Sequence, residues 1–350
     1  MRLLVSRDDR LGDFMLAWPA LQLIHRNLPE ASLSVLAGAG AAALAPLCPG
    51  LNQVITVPRD GGELARARRL AGHLRPYRFS AALALFSRFD LALGLALARI
   101  PLRLAPATKA AQVFYTHRLR QHRSRSERPE YVYNLELAEH FLALLGVRDP
   151  VRPEPPFLRF DSAVVSRSRL DLAARLGFDE QLPVAMLHPG HGGSAPRPPV
   201  ALFVEIAREL AAERAVVLIS EGPADTAAVA ELDQALGGVA HKVFRSVSGL
   251  IDYARCLAPV DLFISGSTGP LHIAGALDVP TVAFYPRRRS ATALRWQTLN
   301  RPERRLVFMP PAEAPENAFD ALDAGQVARR IRGFFRAVRD HSAAATGPRT

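Results

Sequence analysis

Three stretches of this chain carry residue types and spacings that could do chemistry. The first is Ser265-Gly266-Ser267-Thr268-Gly269-Pro270-Leu271-His272. An apolar run, Leu262–Ile264, feeds a turn of small residues, and Pro270 opens a helix continuing through Leu271, Ile273, Ala274 and Leu277. Proline suits a first helical position, where the N–H it lacks would be unpaired anyway. Free N–H groups and the positive dipole end make such a helix start an anion site, and small residues let a phosphate approach the backbone. The alternative is an ordinary junction filled with small residues. The second stretch is Arg10-Leu11-Gly12-Asp13. By itself Asp13 reads as an N-cap or first-turn carboxylate of the helix that follows. The third is the glycine-rich turn His188–Ser194, after the apolar run Val184–Leu187. A serine-hydrolase reading of 265–269 fails, because serine replaces the first glycine of G-x-S-x-G.

These stretches need a scaffold, and the chain alternates strand-like and helix-like segments throughout. Strands are expected at Arg2–Ser6, Leu33–Leu36, Val54–Val57 and Ala81–Leu85, with helical spacing from Phe14 to Ile24 and over Glu63–Leu74. After Val151-Arg152-Pro153-Glu154-Pro155-Pro156, a stiff linker, the alternation resumes. Helices are expected at 166–176, 200–213, 224–236 and 250–257, and strands at 184–187, 216–219, 262–264 and 281–284. The alternation predicts an α/β fold in two similar halves, 1–155 and 156–340, whose mostly parallel sheets are expected to face a cleft. A late helix, Ala324–Val338, precedes a tail, 341–350, expected to be disordered. Ligands in such sheets sit beyond the carboxyl ends of the strands. Gly12-Asp13, the 188–194 and 265–269 turns and Arg287-Arg288-Arg289 all fall there. Gly38-Ala39-Gly40 lacks the third glycine of a dinucleotide fingerprint.

The 350 residues are 49% hydrophobic and 22% charged, enough for substantial cores. No apolar run reaches the roughly 18 residues of a membrane span, and MRLLVSRDDR lacks the pattern of a secretory signal. Cys48 and Cys256, far apart and without a C-x-x-C partner, read as reduced structural thiols. The formal net charge of +11 favours acidic partners, and all but Lys109 and Lys242 of the positive residues are arginine. The run His117–Arg128 is either a solvated loop or a contact for an anionic acceptor or membrane surface. Without aromatic residues interleaved in it, the charge supports no specific nucleic-acid binding.

The order of the motifs resembles glycosyltransferase family 9, the lipopolysaccharide heptosyltransferases. RLLVSRDDRLGDFMLAWPAL is similar to the family opening of strand, basic loop, Gly-Asp and helix with Pro-Ala-Leu. HPGHGGSAPRPP resembles His-Pro-Gly followed by Lys-x-Trp-Pro. ISGSTGPLHIAGALDVPTV resembles Asp-Thr-Gly-Pro-x-His-x-Ala-Ala followed by Pro-Thr-Val. The resemblance implies a GT-B architecture of two Rossmann-like domains, with acceptor bound by the first domain and nucleotide-sugar by the second. It implies inverting, metal-independent transfer of heptose from ADP-heptose to an anionic, lipid-linked inner-core glycan, in the cytoplasm at the inner membrane. No cofactor or metal is expected, and no D-x-D occurs in the chain.

Residue by residue, Asp13 matches the family's general base, which takes the acceptor hydroxyl's proton. Thr268, Gly269 and His272 match the donor-diphosphate turn, and Ser194 could donate to a phosphate from the other turn. Arg10, Gly12, Arg287 and Arg288 stand where they could touch phosphate or acceptor. Two positions depart from the family. Its lysine and tryptophan fall on Pro196 and Pro198, leaving Arg197 as the nearest cation. Its aspartate before Thr-Gly-Pro falls on Ser267, which removes a carboxylate expected to meet the sugar. These departures motivate a second hypothesis, a family member that binds a nucleotide-sugar or glycan without transferring it.

Overall fold

The computed structural model describes residues 1–108, 110–190, 196–246 and 248–346. It divides into two units, Met1–Phe157 and Leu158–Thr350, so the division lies two residues beyond the expected 155/156 boundary. Each unit is an α/β layer structure built on one six-stranded sheet whose registered pairs are all parallel.

In the first unit the strands are β1 (Arg2–Arg7), β2 (Ser32–Ala37), β3 (Leu51–Ile55), β4 (Ala81–Ala84), β5 (Leu102–Pro106) and β6 (His117–Leu119). They lie in the order β3-β2-β1-β4-β5-β6. The second unit has β7 (Val184–His188), β8 (Val216–Glu221), β9 (His241–Arg245), β10 (Leu262–Gly266), β11 (Thr281–Phe284) and β12 (Arg305–Phe308). Its order, β12-β11-β10-β7-β8-β9, is the same doubly wound arrangement. In both sheets the chain reverses direction of travel between two central strands, β1 and β4 in one, β7 and β10 in the other. The crevice at such a reversal is where ligands meet this fold.

The central strands are apolar because helices cover both faces of a parallel sheet. All five residues of β7 and of β10 are buried. Leu187, Ile264, Phe284 and Phe308 pack with Phe203, Ile331 and Phe335 from the covering helices to make the second unit's core. The first unit has its own cluster, which includes Leu4, Leu36, Leu91 and Leu95.

Four features differ from the sequence expectations. The single helix expected from Phe14 to Ile24 is two, Leu11–Met15 and Trp18–Asn27. Pro19 is the cause, since it has no N–H to give Met15 and its ring would meet that carbonyl. Strands β5, β6, β9 and β12 were not expected, and three of them are sheet edges rich in arginine and histidine. The run His117–Arg128 is not a plain solvated loop: it starts as β6, and Arg123 turns inward to Leu85 O and Glu130 at 3.0 and 2.8 Å. The last helix runs Ala324–Thr346, so residues 341–346 are helical rather than a disordered tail. A buried stripe, Val327, Ala328, Ile331, Phe335 and Val338, holds the helix against the unit as far as Val338.

Candidate active site

In the first unit, the β1–β4 reversal is filled by an ionic cluster centred on Arg7, the last residue of β1. Its side chain is only 2% exposed. Nε donates to Asp9 Oδ1 at 3.0 Å, Nη2 to Asp13 Oδ1 at 2.6 Å and Nη1 to Glu130 Oε1 at 2.9 Å. Burial alone would pull the Arg7 pKa down, but Asp9, Glu130 and Asp13 outweigh it and hold the group charged. Burial pushes the Asp9 carboxyl up to about 6, against the pull of Arg7 and with help from the charge of Asp13. A second ionic group stands beside the first. Arg88 grips Asp8 with two bonds of 2.7 and 2.9 Å and also holds Asp90, which takes a further bond from Arg66.

Asp13 lies in the first turn of helix Leu11–Met15 and is not its N-cap, a position held by Arg10 in extended conformation. The Asp13 side chain is 16% exposed, so the carboxylate is fixed by Arg7 and still open on one side. That combination suits a general base, which must be oriented and reachable. Gly12 is half-buried beside it, and Arg10 is exposed on the same loop.

In the second unit, the ends of β7 and β10 lie side by side, with Ser265 opposite His188. Thr268 is the N-cap of helix Gly269–Ala276, and its side chain accepts from Leu271 N. Ser265 Oγ donates to Gly266 O at 2.8 Å and lies 2.9 Å from Thr268 Oγ1. The Ser265 proton is thus committed, so Thr268 donates in that second bond. The threonine hydroxyl is spent inside the turn. The helix end also carries the N–H groups of Thr268 and Gly269, which have no intrahelical acceptor. Ser267, Gly269 and Pro270 are half-exposed around them. His272, buried one turn later, has an Nδ1 without a partner among the described residues, and burial lowers its pKa to about 4. It is a neutral imidazole.

The remaining expected residues are distributed as follows. Ser194 lies outside the described residues. Arg197 forms an ion pair with Glu231 on helix Thr226–Ala235. Arg287, just beyond β11, turns its guanidinium to Ala314 O while its N–H donates to Glu316 O at 2.8 Å. Arg288 is exposed next to it. Among the described residues no group of three His, Cys, Asp or Glu could hold a metal ion.

Sequence reading missed two sets of residues. One is Asp9, Glu130 and Asn134 around Arg7; nothing in the sequence ties position 130 to position 7. The other lies at the ends of β7 and β8. His188 Nδ1 is 2.9 Å from Ser220 Oγ, which bonds Tyr253 Oη at 3.0 Å, and Nε2 is 3.7 Å from Asp225. The Asp225 carboxylate takes a bond from Gly222 N at 3.2 Å. A Cβ on Gly190 would lie 2.2 Å from that carboxylate, so any larger residue there would have to push it aside. The glycines of the 188–194 turn and the 220–222 segment were the available signal.

Residues 67–304 match the family model for glycosyltransferase family 9 (heptosyltransferase). A Haemophilus influenzae protein named only as a glycosyltransferase is 36% identical over 312 residues, covering 89% of this chain and 90% of that one. The chain belongs to glycosyltransferase family 9. It is a glycosyltransferase of the heptosyltransferase type. Lipopolysaccharide heptosyltransferase 2 of Salmonella typhimurium is 26% identical over 297 residues, covering 81% of this chain and 82% of that one. Two solved structures share the fold. Escherichia coli ADP-heptose lipopolysaccharide heptosyltransferase II has a TM-score of 0.77 at 20% identity, over 98% of this chain and 100% of that one. An E. coli heptosyltransferase with ADP has a TM-score of 0.70 at 18% identity, over 95% of this chain and 100% of that one. The two Rossmann-type units therefore have the GT-B composition. In this family 9 member the matched region includes the Thr268-Gly269 turn but starts after the Asp13 loop.

Proposed function

We propose that this enzyme transfers a heptose from ADP-heptose, with inversion and without a metal, to an anionic lipid-linked glycan of the lipopolysaccharide inner core. The second unit takes the donor diphosphate and the first takes the acceptor. The observation that carries it is the Arg7-held, partly exposed Asp13 carboxylate at the reversal point of the first sheet. Direct displacement at the sugar carbon needs such a group to take the acceptor hydroxyl's proton as the new bond forms. Negative charge grows on the departing ADP, and the N–H groups of Thr268 and Gly269 meet it without rearrangement. The names of the relatives supply the sugar and acceptor: lipopolysaccharide heptosyltransferases are among them.

The lipid-linked acceptor would hold the enzyme at the inner face of the cytoplasmic membrane. No helix among the described residues is long and apolar enough to cross one. Exposed Arg118, Arg120, Arg125 and Arg128 offer positive charge for a peripheral contact.

The test is a donor screen for nucleotide release combined with Asp13→Ala. ADP release that requires acceptor, a loss of about a hundredfold or more in Asp13→Ala, and unchanged ADP affinity are expected. Tight ADP binding with no turnover of any acceptor would instead favour a binding protein, the reading suggested by Pro196 and Ser267. Equal loss of transfer and ADP binding in Asp13→Ala would remove Asp13 as base.

A further inference from the structure

We propose that Glu130 is a positioning residue for the transfer, acting on Asp13 through Arg7; this rests on the reading of Asp13 as base. Glu130 opens helix Glu130–Leu144, and its side chain is 2% exposed. Its Oε1 accepts from Arg7 Nη1 at 2.9 Å and from Arg123 Nη1 at 2.8 Å. A guanidinium is planar and rigid. Pinning Nη1 therefore sets where Nη2 points, and Nη2 carries Asp13 at 2.6 Å.

The same helix also holds the far side of the Asp13 loop. Asn134, one turn after Glu130, has its Oδ1 3.4 Å from Arg7 Nη1 and donates from Nδ2 to Leu16 O at 3.0 Å. One buried helix face thus grips the chain just before and just after Asp13. Asp9 also bonds Arg7, but it rides on the same loop and moves with it. Glu130 belongs to a helix anchored by Leu137, Ala138, Phe141 and Leu142, all fully buried. That helix is the fixed reference for the carboxylate. Stability alone does not account for the arrangement, since an apolar pair of similar volume usually serves a core as well as a buried ion pair.

The experiment compares Glu130→Gln, Arg7→Lys, their double variant and Asp13→Asn in steady-state transfer, with ADP titration alongside. Glu130→Gln is expected to lower kcat on the order of tenfold to a hundredfold, with donor KM and ADP affinity unchanged. The double variant should be no worse than the weaker single variant, because both changes act through one guanidinium. An unchanged kcat, losses that multiply, or an equal loss of ADP affinity each overturn the proposal. Should Glu130→Gln not fold, Glu130→Asp keeps the charge and retracts it by one carbon; a kcat equal to the parent's overturns the proposal there too. Asp13→Asn separates the two levels. An active Asp13→Asn sinks the base assignment itself, whereas an inactive one beside an unaffected Glu130→Gln sinks only the positioning role.

Discussion

Two titratable side chains, the half-buried Asp9 and the buried His272, respond to acid with opposite sign. Burial raises Asp9 to about 6, so between the unfolded carboxyl value near 4 and pH 6 the folded protein takes up a proton that the unfolded chain does not. Its contribution is fully present in acid and lost as pH rises through about 6. Asp9→Asn mimics the protonated group, so it should raise Tm by a few degrees at pH 8. The gain should vanish toward pH 4. A lower Tm for the variant at pH 8 would show that the bond to Arg7 outweighs burial. His272 behaves in reverse. Burial depresses it to about 4, so the neutral ring favours folding above the unfolded value near 6.5, and that contribution is lost as pH falls through 4. His272→Gln should flatten the fall in Tm between pH 6.5 and 4 relative to the parent. Parallel melting curves across that range would sink the assignment of a buried neutral imidazole.

At the scale of elements, the turn at 265–269 was legible because it is local. Small residues, Pro270 and an apolar strand sit next to each other in sequence, and the observed helix start at Gly269 lies one residue from the expected start at Pro270. The role of the Thr268 hydroxyl was not legible, since only the fold shows it bonded to Ser265 and Leu271. Thr268→Ala should therefore cost about 1 kcal/mol of stability, the cost of a lost cap, read as a lower Tm. It should weaken ADP binding less than threefold, because the backbone N–H groups remain. A much larger loss of ADP affinity would put the hydroxyl against the phosphate instead. The edge strands β6, β9 and β12 escaped for a different reason. An edge pairs on one side only and is kept charged against association, so Arg305 in β12 and His241 and Lys242 in β9 break the apolar pattern that betrays central strands. The cluster around Arg7 was half legible. Arg7, Asp9 and Asp13 lie close together in sequence, but Glu130 and Asn134 reach them only through the winding of the sheet.

At the scale of the whole molecule, each unit buries its own apolar cluster under its own sheet. The proposed division of labour gives ADP to the second unit alone, and ligand binding stabilises only the part that binds. At a hundredfold excess over Kd, ADP adds about 2.7 kcal/mol to whatever unfolds with its site. For a unit the size of Leu158–Thr350 that amounts to a rise of roughly 5–10 °C. Calorimetry with and without ADP should then resolve one transition that moves by this amount and one that stays. Asp13→Ala should leave the moving transition as it is, since its carboxylate belongs to the unit that does not bind nucleotide. A single transition that shifts as a whole would mean the two units unfold as one, and the ADP effect would be shared. A shift abolished by Asp13→Ala would put the nucleotide against the first unit and reverse the proposed roles of the two sheets.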